Sequence, residues 1–300
     1  MGGPVPTLLV CAAFAASAAC KAQIGPDPGG GPDSSTPGLD ARSVDAAIDA
    51  VQLGSWGRPQ PVAGASTGAI EDDGSLSSTT NELVFAVVDP AANNAKDLWY
   101  MSRTSPAAPW SAPTKLPFNS TASDETPRFS PDDLTLYFAS GRAGGLGGLD
   151  IYRVTRTAVG GAWGTPQLVP GVNTTLTEKW FVPCATGNTY LTIYNNDIAE
   201  GTLGSPPTVV AALSSASTET GTFLSPDCLT VYFASNRNGA NQLFVSTRTA
   251  VGAPWAVPSL VTDFQGLGGA QEDPWLSSDL RTFALVSDIG GTKDVYISTR

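Results

Sequence analysis

The chain repeats one turn-and-strand motif, and this repetition restricts its fold more than any other feature. The motif is a Ser-Pro-Asp or Ser-Ser-Asp turn followed by an alternating strand rich in β-branched and aromatic residues. It occurs at residues 130–142, 225–237 and 277–285. The Asp of such a turn can hold the backbone, and the strand that follows ends at a second turn. Strand-containing repeats at this spacing indicate a solenoid or a propeller.

A second signature accompanies the turns at fixed offsets. Its four copies are Asp97–Tyr100, Asp150–Tyr152, Gln242–Phe244 and Asp294–Tyr296. An arginine stands six residues after the start of each copy, at Arg103, Arg156, Arg248 and Arg300. A tryptophan follows the first three arginines by seven residues, at Trp110, Trp163 and Trp255. Such spacing predicts successive strands of one sheet, repeated from blade to blade.

The last repeat ends at Arg300 without a tryptophan strand, and an unpaired one stands before the first repeat. This strand begins Trp56-Gly57-Arg58-Pro59, and we expect it to complete the final sheet. Closure of this kind leaves no open edge between the first and last blades. The sequence therefore predicts an all-β fold, a five-bladed β-propeller closed by an N-terminal strand. The predicted blades span residues 67–116, 117–169, 170–209, 210–261, and 262–300 together with 55–62.

Taken together, these motifs resemble the TolB-like β-propeller repeat, whose consensus is Ser-Pro-Asp-Gly, a hydrophobic strand, Ser-x-Arg and then Asp-Ile-Tyr. The resemblance covers residues 55–300. The third unit departs from it, because Pro183-Cys184-Ala185-Thr186-Gly187 replaces the turn and Leu203-Gly204-Ser205-Pro206 stands where the tryptophan strand is expected. The resemblance implies an extracytoplasmic module that presents its disc face or channel mouth to protein partners.

The first 54 residues lie outside the repeat. Residues 8–19 form an apolar run of signal-peptide length, too short to span a bilayer. Cys20 follows Ser17-Ala18-Ala19, which resembles a lipobox, although Ser17 stands where Leu is usual. Two interpretations stay open: residues 1–20 are a signal with lipidation of Cys20 at the outer membrane or periplasmic face, or the chain is cleaved and secreted. Residues 21–54 have the Gly/Pro/Asp/Ala composition of a disordered linker.

Charge and histidine content exclude several functional classes. Lys and Arg total 16 against 27 Asp and Glu, a net charge of −11, so we expect no nucleic-acid partner. Histidine is absent, which removes the usual general base and the Ser-His and Cys-His nucleophile arrangements. With few cysteines and no histidine, a zinc site is not expected. We expect a non-enzymatic monomer.

An acidic residue recurs near the start of each predicted inner strand, at Glu71, Glu125, Glu178, Glu219 and Glu272. Innermost strands line the channel of a propeller, so the sequence predicts a ring of carboxylates at one mouth. Such a ring would bind a cation such as calcium, an amine or a sugar, and no other cofactor is expected. The alternative is that these carboxylates hold turns or pair between blades with the repeated arginines, which also include Arg142 and Arg237 at the end of the turn-and-strand motif.

Cys184 and Cys228 occupy equivalent turns of adjacent predicted blades. A disulfide across the blade interface and two buried thiols both stay open, because Cα spacing cannot be read from a sequence. Five aromatic residues are candidates for exposed positions: Trp99, Trp180, Trp275, Tyr190 and Tyr194. Of these, Trp180 and Trp275 either stand at the channel mouth as stacking platforms or pack between blades, and we favour packing.

Three functional hypotheses follow. The first is a non-catalytic module at the cell envelope that binds a protein or another ligand. The second is a glycan-active enzyme, because five-bladed propellers include arabinanase-type glycosidases with three central carboxylates; the candidates here are Glu125, Glu178 and Glu272. The third is carbohydrate binding without cleavage. The acids recur by blade, whereas a catalytic site needs different residues in different roles, so we favour the first.

Overall fold

Twenty strands form five antiparallel sheets of four strands in residues 54–300, the part of the chain that the computed structural model describes. Each sheet is one blade of a five-bladed β-propeller. The predicted signal with Cys20, and the predicted linker up to residue 53, lie outside the described residues. No helical segment within residues 54–300 has the length and hydropathy of a membrane span.

Four blades use consecutive strands, and the fifth takes its outer strand from the N-terminal side. The strands are β1 (Gln60–Pro61); β2 (Glu71–Leu76), β3 (Glu82–Asp89), β4 (Ala95–Ser102) and β5 (Thr114–Lys115) of blade 1; β6 (Asp124–Phe129), β7 (Thr135–Ser140), β8 (Asp150–Thr155) and β9 (Gln167–Leu168) of blade 2; β10 (Glu178–Pro183), β11 (Thr189–Tyr194), β12 (Asp197–Thr202) and β13 (Thr208–Val209) of blade 3; β14 (Glu219–Leu224), β15 (Thr230–Ser235), β16 (Gln242–Thr247) and β17 (Ser259–Leu260) of blade 4; and β18 (Gln271–Leu276), β19 (Thr282–Ser287) and β20 (Asp294–Thr299) of blade 5.

The Ser-x-Asp turns join the first and second strands of three blades, as the sequence predicts. In blade 2 the Ser130 hydroxyl donates to Asp132 at 2.6 Å, and Asp132 accepts from the Leu134 backbone N–H at 3.0 Å. The same bonds recur around Asp227 and Asp279. Each Asp side chain therefore accepts a hydrogen bond from a backbone N–H that the turn leaves without a backbone partner.

The hydrophobic core is divided among the five interfaces between neighbouring blades. One cluster fills each interface, so every middle strand is covered on both faces. This explains why a strand such as β7 is apolar at almost every position instead of alternating. The inner strands β2, β6, β10, β14 and β18 each contact the next and form a closed ring around the axis.

The N-terminal strand closes the propeller as predicted. β1 pairs with β20, where Gln60 lies opposite Ile297 and Pro61 opposite Tyr296. The Arg300 guanidinium lies 4.0 Å from the centre of the Trp56 ring. The Arg103–Trp110, Arg156–Trp163 and Arg248–Trp255 pairs repeat this stacking in blades 1, 2 and 4.

Blade 3 lacks this arginine–tryptophan pair but keeps four strands. Tyr190 is fully buried, and its hydroxyl donates to the Ser205 backbone carbonyl at 2.7 Å. A Cβ built on Gly201 would lie 2.4 Å from the Tyr190 ring, so glycine is needed beneath it. The tyrosine thus stabilises the outer turn of the blade that departs most from the repeat.

Candidate functional site

A β-bulge in each inner strand determines which side chains line the channel. In β2, Asp73 and Gly74 lie opposite the single residue Phe85. The bulged residues have φ between 47° and 56°, and they are Asp73, Thr126, Trp180, Gly221 and Asp273. Four of the five are not glycine, so the surrounding sheet must hold this sparsely populated backbone conformation.

In three of the five inner strands the first residue is a glutamate whose carboxylate holds the preceding loop. Glu178 accepts from the Thr174 hydroxyl at 2.6 Å and its backbone N–H at 3.2 Å. Glu219 accepts from Ser215 in the same way, and Glu71 accepts from Thr67. All three glutamates are buried. The structure therefore does not bring Glu71, Glu178 and Glu219 into a ring with the other two, and it assigns them the turn-holding alternative.

Glu125 and Glu272 stand one residue further along their strands and belong to a charged cluster at this mouth. We use this name for Asp72, Asp73, Lys96, Glu125, Glu272, Asp273 and Lys293. Lys96 Nζ lies 2.9 Å from Asp72, 2.8 Å from Asp73 and 3.1 Å from Glu125. Lys293 Nζ lies 2.6 Å from Glu272 and 3.6 Å from Asp72. The cluster joins blades 1, 2 and 5 across the axis.

Burial and like charge move the carboxyl pKa values of the charged cluster in different directions. Burial raises the pKa of Asp73 to about 6, although Lys96 opposes it. Burial, with the charges of Asp73, Asp72 and Glu272, raises the pKa of Asp273 well above its usual value. Burial alone would raise the pKa of Asp72, but the charges of Lys96 and Lys293 outweigh burial and lower this pKa.

The charged cluster is arranged as an ion-pair network. Oxygens of Asp72, Asp73 and Asp273 lie within 4.8 Å of one another, a spacing that would suit a cation. Lys96 already supplies a positive charge to two of these carboxylates, and Lys179 reaches Glu125 at 3.3 Å from the other side. A glycosidase needs one carboxylic acid and one carboxylate free to reach the substrate. The more exposed acids of the charged cluster are each paired with a lysine; they are Asp72, Glu125 and Glu272.

The opposite end of the channel is an open, mostly apolar cavity, which we call the axial pocket. Its volume is about 280 Å³, and residues from all five blades line it. The wall includes Leu76, Phe129, Val182, Pro183, Phe223, Leu224, Trp275 and Leu276. The rim is formed by the turns after the inner strands, at Ser78, Pro131, Ala185, Pro226 and Ser278.

Arg128 is the charged residue of the axial pocket. Its side chain extends across the channel: Nε donates to the Thr222 carbonyl at 3.2 Å, and Nη1 donates to the carbonyls of Gly74 at 3.2 Å and Pro127 at 3.0 Å. Only 2% of Arg128 is exposed. In the other blades the equivalent residues are Ser75, Val182, Phe223 and Trp275, so an alignment of the repeats could have singled out this arginine.

A disulfide joins Cys184 to Cys228 beside the rim of the axial pocket, with a Cα–Cα distance of 5.6 Å. It connects the inner turns of blades 3 and 4. The neighbouring residues Ala185 and Pro226 line the rim. The bond therefore fixes the spacing of two of the five turns that surround the opening.

The repeated arginines do not share one role. Arg156 pairs with Glu82 and Arg248 with Glu200, both between blades as expected, but neither glutamate is one of the recurring acidic positions. Arg142 pairs with Asp124 and Arg237 with Glu219 inside single blades, which differs from the expectation because each arginine reaches back to its own inner strand. Arg103 and Arg300 instead donate to backbone carbonyls.

The aromatic residues mostly pack, as favoured from the sequence. Trp180, Trp275 and Tyr190 are buried, whereas Trp99 and Tyr194 are partly exposed. Trp275 is buried in the wall of the axial pocket, away from the charged mouth where a stacking platform was considered.

Comparisons with known proteins show the fold and no more. No protein-family model matches the chain, and no curated protein matches it. An endo-arabinase structure from Bacteroides thetaiotaomicron superimposes with a TM-score of 0.55 at 11% identity, over 80% of this chain and 96% of that one. A GH62 α-L-arabinofuranosidase catalytic domain from Coprinopsis cinerea gives 0.52 at 13% identity, over 82% and 97%. TolB from Acinetobacter baumannii gives 0.43 at 14% identity, over 64% and 46%.

Proposed function

We propose that this protein is a non-catalytic binding module of the cell envelope that receives a group of its partner in the axial pocket. The observation that carries the proposal is the contrast between the two ends of the channel. One end carries lysine–carboxylate ion pairs beside an open polar surface, and the other is an apolar cavity lined by every blade. Apolar concave sites with few polar groups are the usual form of binding sites.

An extracytoplasmic location is supported by the Cys184–Cys228 disulfide, because such bonds persist in oxidising compartments. We further propose that Cys20 is lipidated. Detergent phase partitioning of the full chain tests this: the wild-type chain should enter the detergent phase, and Cys20→Ser should remain in the aqueous phase. Equal partitioning would contradict lipidation and favour the secreted form.

Site-specific photo-crosslinking in envelope fractions tests the binding function. A photoreactive residue at Ala185, on the exposed rim, should give one discrete and saturable product. The same residue at Thr292, exposed at the opposite mouth, should not. Ser278→Trp should block the product by filling the rim, whereas Leu280→Trp, exposed in the same turn but outside the pocket, should not. Identical products at both mouths, or none, would overturn the proposal.

Glycan hydrolysis is the second candidate, favoured by the acids gathered at the charged mouth. Its test is incubation with arabinan, xylan and arabinoxylan, followed by measurement of reducing sugar. We expect no release, because Glu125 and Glu272 are held by lysines. Release that disappears in Glu125→Gln would replace the binding proposal with an enzymatic one.

A further inference from the structure

Arg128 is a buried cation without an ion-pair partner among the described residues. Its guanidinium donates only to three backbone carbonyls, and no carboxylate of residues 54–300 lies within 4.0 Å of it. Buried charges in proteins are normally paired, because removal from water is costly. Every other buried arginine of blades 2 and 4, Arg156 and Arg248, has a carboxylate in direct contact. Arg128 therefore differs from the structural arginines of the fold.

One donor of Arg128 is also unused. Nη2 is buried and has no hydrogen-bond partner. Nη2 of Arg248 also has no partner, so Arg128 is distinguished by the combination of a free donor, no ion pair and a place in the pocket wall. Because Arg128 lines the axial pocket, a molecule that enters from the rim comes to lie beside this side chain.

From these observations we propose that the axial pocket binds a monocarboxylic acid with an apolar body, whose carboxylate is held by Arg128. The apolar body contacts residues such as Phe223, Leu224 and Trp275. Nη2 has no exposed surface, so the carboxylate accepts from it once the Arg128 side chain turns toward the pocket. A volume of about 280 Å³ accommodates an unbranched chain of about eight carbons or one aromatic ring system. Charge-assisted hydrogen bonds in a site of low dielectric are the strong ones, so the carboxylate should dominate recognition.

Two acidic side chains near Arg128 allow a different explanation of its unpartnered Nη2. Asp73 and Asp273 influence the guanidinium electrostatically, and Oδ1 of each is buried without a partner. A water shared by Nη2 and these two oxygens would satisfy all three atoms without any ligand. The two explanations differ in a measurable way, because a shared water gives the pocket no preference for a carboxylate over a neutral group.

The inference rests on the proposed function, since it uses the same pocket. Calorimetric titration of the full-length protein at pH 7 can contradict the carboxylate inference without contradicting the binding function. The probes are octanoate and octanamide, which differ in charge and not in length. We expect octanoate to bind at least 10-fold more tightly. Equal binding of both would overturn the carboxylate inference and leave the binding function in place. Binding of neither of these probes nor of the peptide probes below would overturn the carboxylate inference, and crosslinking at Ala185 then decides the binding function separately.

A second pair of probes identifies the source of the acid. The tripeptide Gly-Gly-Leu presents a carboxylate on an apolar residue, and its C-terminal amide does not. Preference for the free peptide over octanoate would identify a polypeptide C-terminus, and the reverse would identify a free acid. Either preference supports the inference, while indifference to charge in both pairs contradicts it.

Substitutions test whether the preference for octanoate over octanamide depends on Arg128. Arg128→Met keeps the length of the side chain without its charge, and it should reduce the octanoate preference to less than 2-fold. Ser278→Trp should abolish binding of both probes, and Leu280→Trp should bind as the wild type does. If Arg128→Met does not fold, the wild-type comparison and the Ser278→Trp and Leu280→Trp pair still decide the outcome.

Discussion

At the scale of single residues, Lys96 is the centre of the charged cluster. Its ammonium contacts three carboxylates from two blades, and only 18% of its side chain is exposed. Lys96→Met would keep the alkyl stem but leave these carboxylates without their shared counter-charge. We expect the free energy of unfolding to fall by about 2–4 kcal/mol, somewhat below the cost of breaking a fully buried pair. Chemical denaturation measures this.

Lys115 provides the matched control. It pairs with Asp97 at 2.6 Å, but its side chain is 50% exposed. Lys115→Met should change stability by less than about 1 kcal/mol, because exposed pairs contribute little. Equal effects of the two substitutions would show that Lys96 does not hold the cluster together.

Asp73 should give stability a dependence on pH that is unusual for a carboxyl group. Its folded-state pKa is about 6, above the ordinary 3.8, so the folded protein binds this proton more tightly than the unfolded chain. The stabilisation of the folded state by protonated Asp73 is therefore present below about pH 4 and is lost as pH rises to about 6. The stability of Asp73→Asn relative to wild type should rise over this window, by at most about 1.4 kcal/mol per pH unit.

Asp132 is the control for the sign of this effect. Hydrogen bonds from Ser130 and Leu134 lower its pKa, so its contribution is lost only as pH falls below about 4. Asp132→Asn should differ from wild type by a constant amount between pH 4 and 6. If the free energies of unfolding of Asp73→Asn and of wild type changed equally between pH 4 and 6, the raised pKa of Asp73 would be contradicted.

At the scale of strands and blades, neighbouring sheets are joined by particular arginines as well as by apolar packing. Arg156 on blade 2 donates to both oxygens of Glu82 on blade 1, at 2.7 and 2.6 Å, and stacks on Trp163. Arg103, its counterpart in blade 1, stacks on Trp110 but has no carboxylate partner among the described residues. The two arginines differ mainly in the ion pair between blades.

This difference predicts unequal costs of substitution. Arg156→Met should destabilise the protein by about 3–5 kcal/mol, because it leaves Glu82 buried without its main partner. Arg103→Met should cost about 1 kcal/mol, the scale of a partly exposed stacking contact. Thermal and chemical unfolding of both variants checks this, and similar costs would assign the role of Arg156 to stacking alone.

The same scale explains what the sequence could predict. Blade number, the Ser-x-Asp turns and the Trp56 closure follow from fixed spacing, because the turn recurs in three blades and the arginine signature in four. The channel residues were harder to predict, because the bulge shifts the residue that faces the mouth from Glu71 to Asp72 and Asp73. Only Gly221 hints at the required positive φ, since the other four bulges use residues that rarely adopt it.

The axial pocket was not predictable for a different reason. Its wall combines the fifth and sixth residues of five separate strands, and apart from Ser75 and Arg128 each of these resembles an ordinary apolar core residue in the sequence. Phe223 and Leu224 become a pocket wall only because the ends of all five inner strands surround one open space. The free donor of Arg128 depends on side-chain geometry that no repeat pattern encodes.

At the scale of the whole molecule, the ring is completed by a short contact between distant parts of the chain. Besides the β1–β20 pairing, the Gly57 backbone N–H donates to the Thr299 carbonyl at 3.0 Å and that of Val62 to Val295 at 2.8 Å. Trp56 packs against Phe264 and Phe283. These contacts supply the outer strand of blade 5 and cover β20, which would otherwise be an exposed edge.

Two truncations test whether this closure holds the propeller together. A chain starting at Gly54 keeps every closing contact, so we expect its melting temperature to match that of the full chain. A chain starting at Ala63 loses the strand and the Trp56 stacking, and its unfolding free energy should fall by at least about 3 kcal/mol, the scale of removing a packed aromatic side chain. Its uncovered β20 should also promote association, which light scattering detects. If both truncations were equally stable and monomeric, the other four interfaces alone would maintain the ring, and the N-terminal strand would be an attachment to it and not its closure.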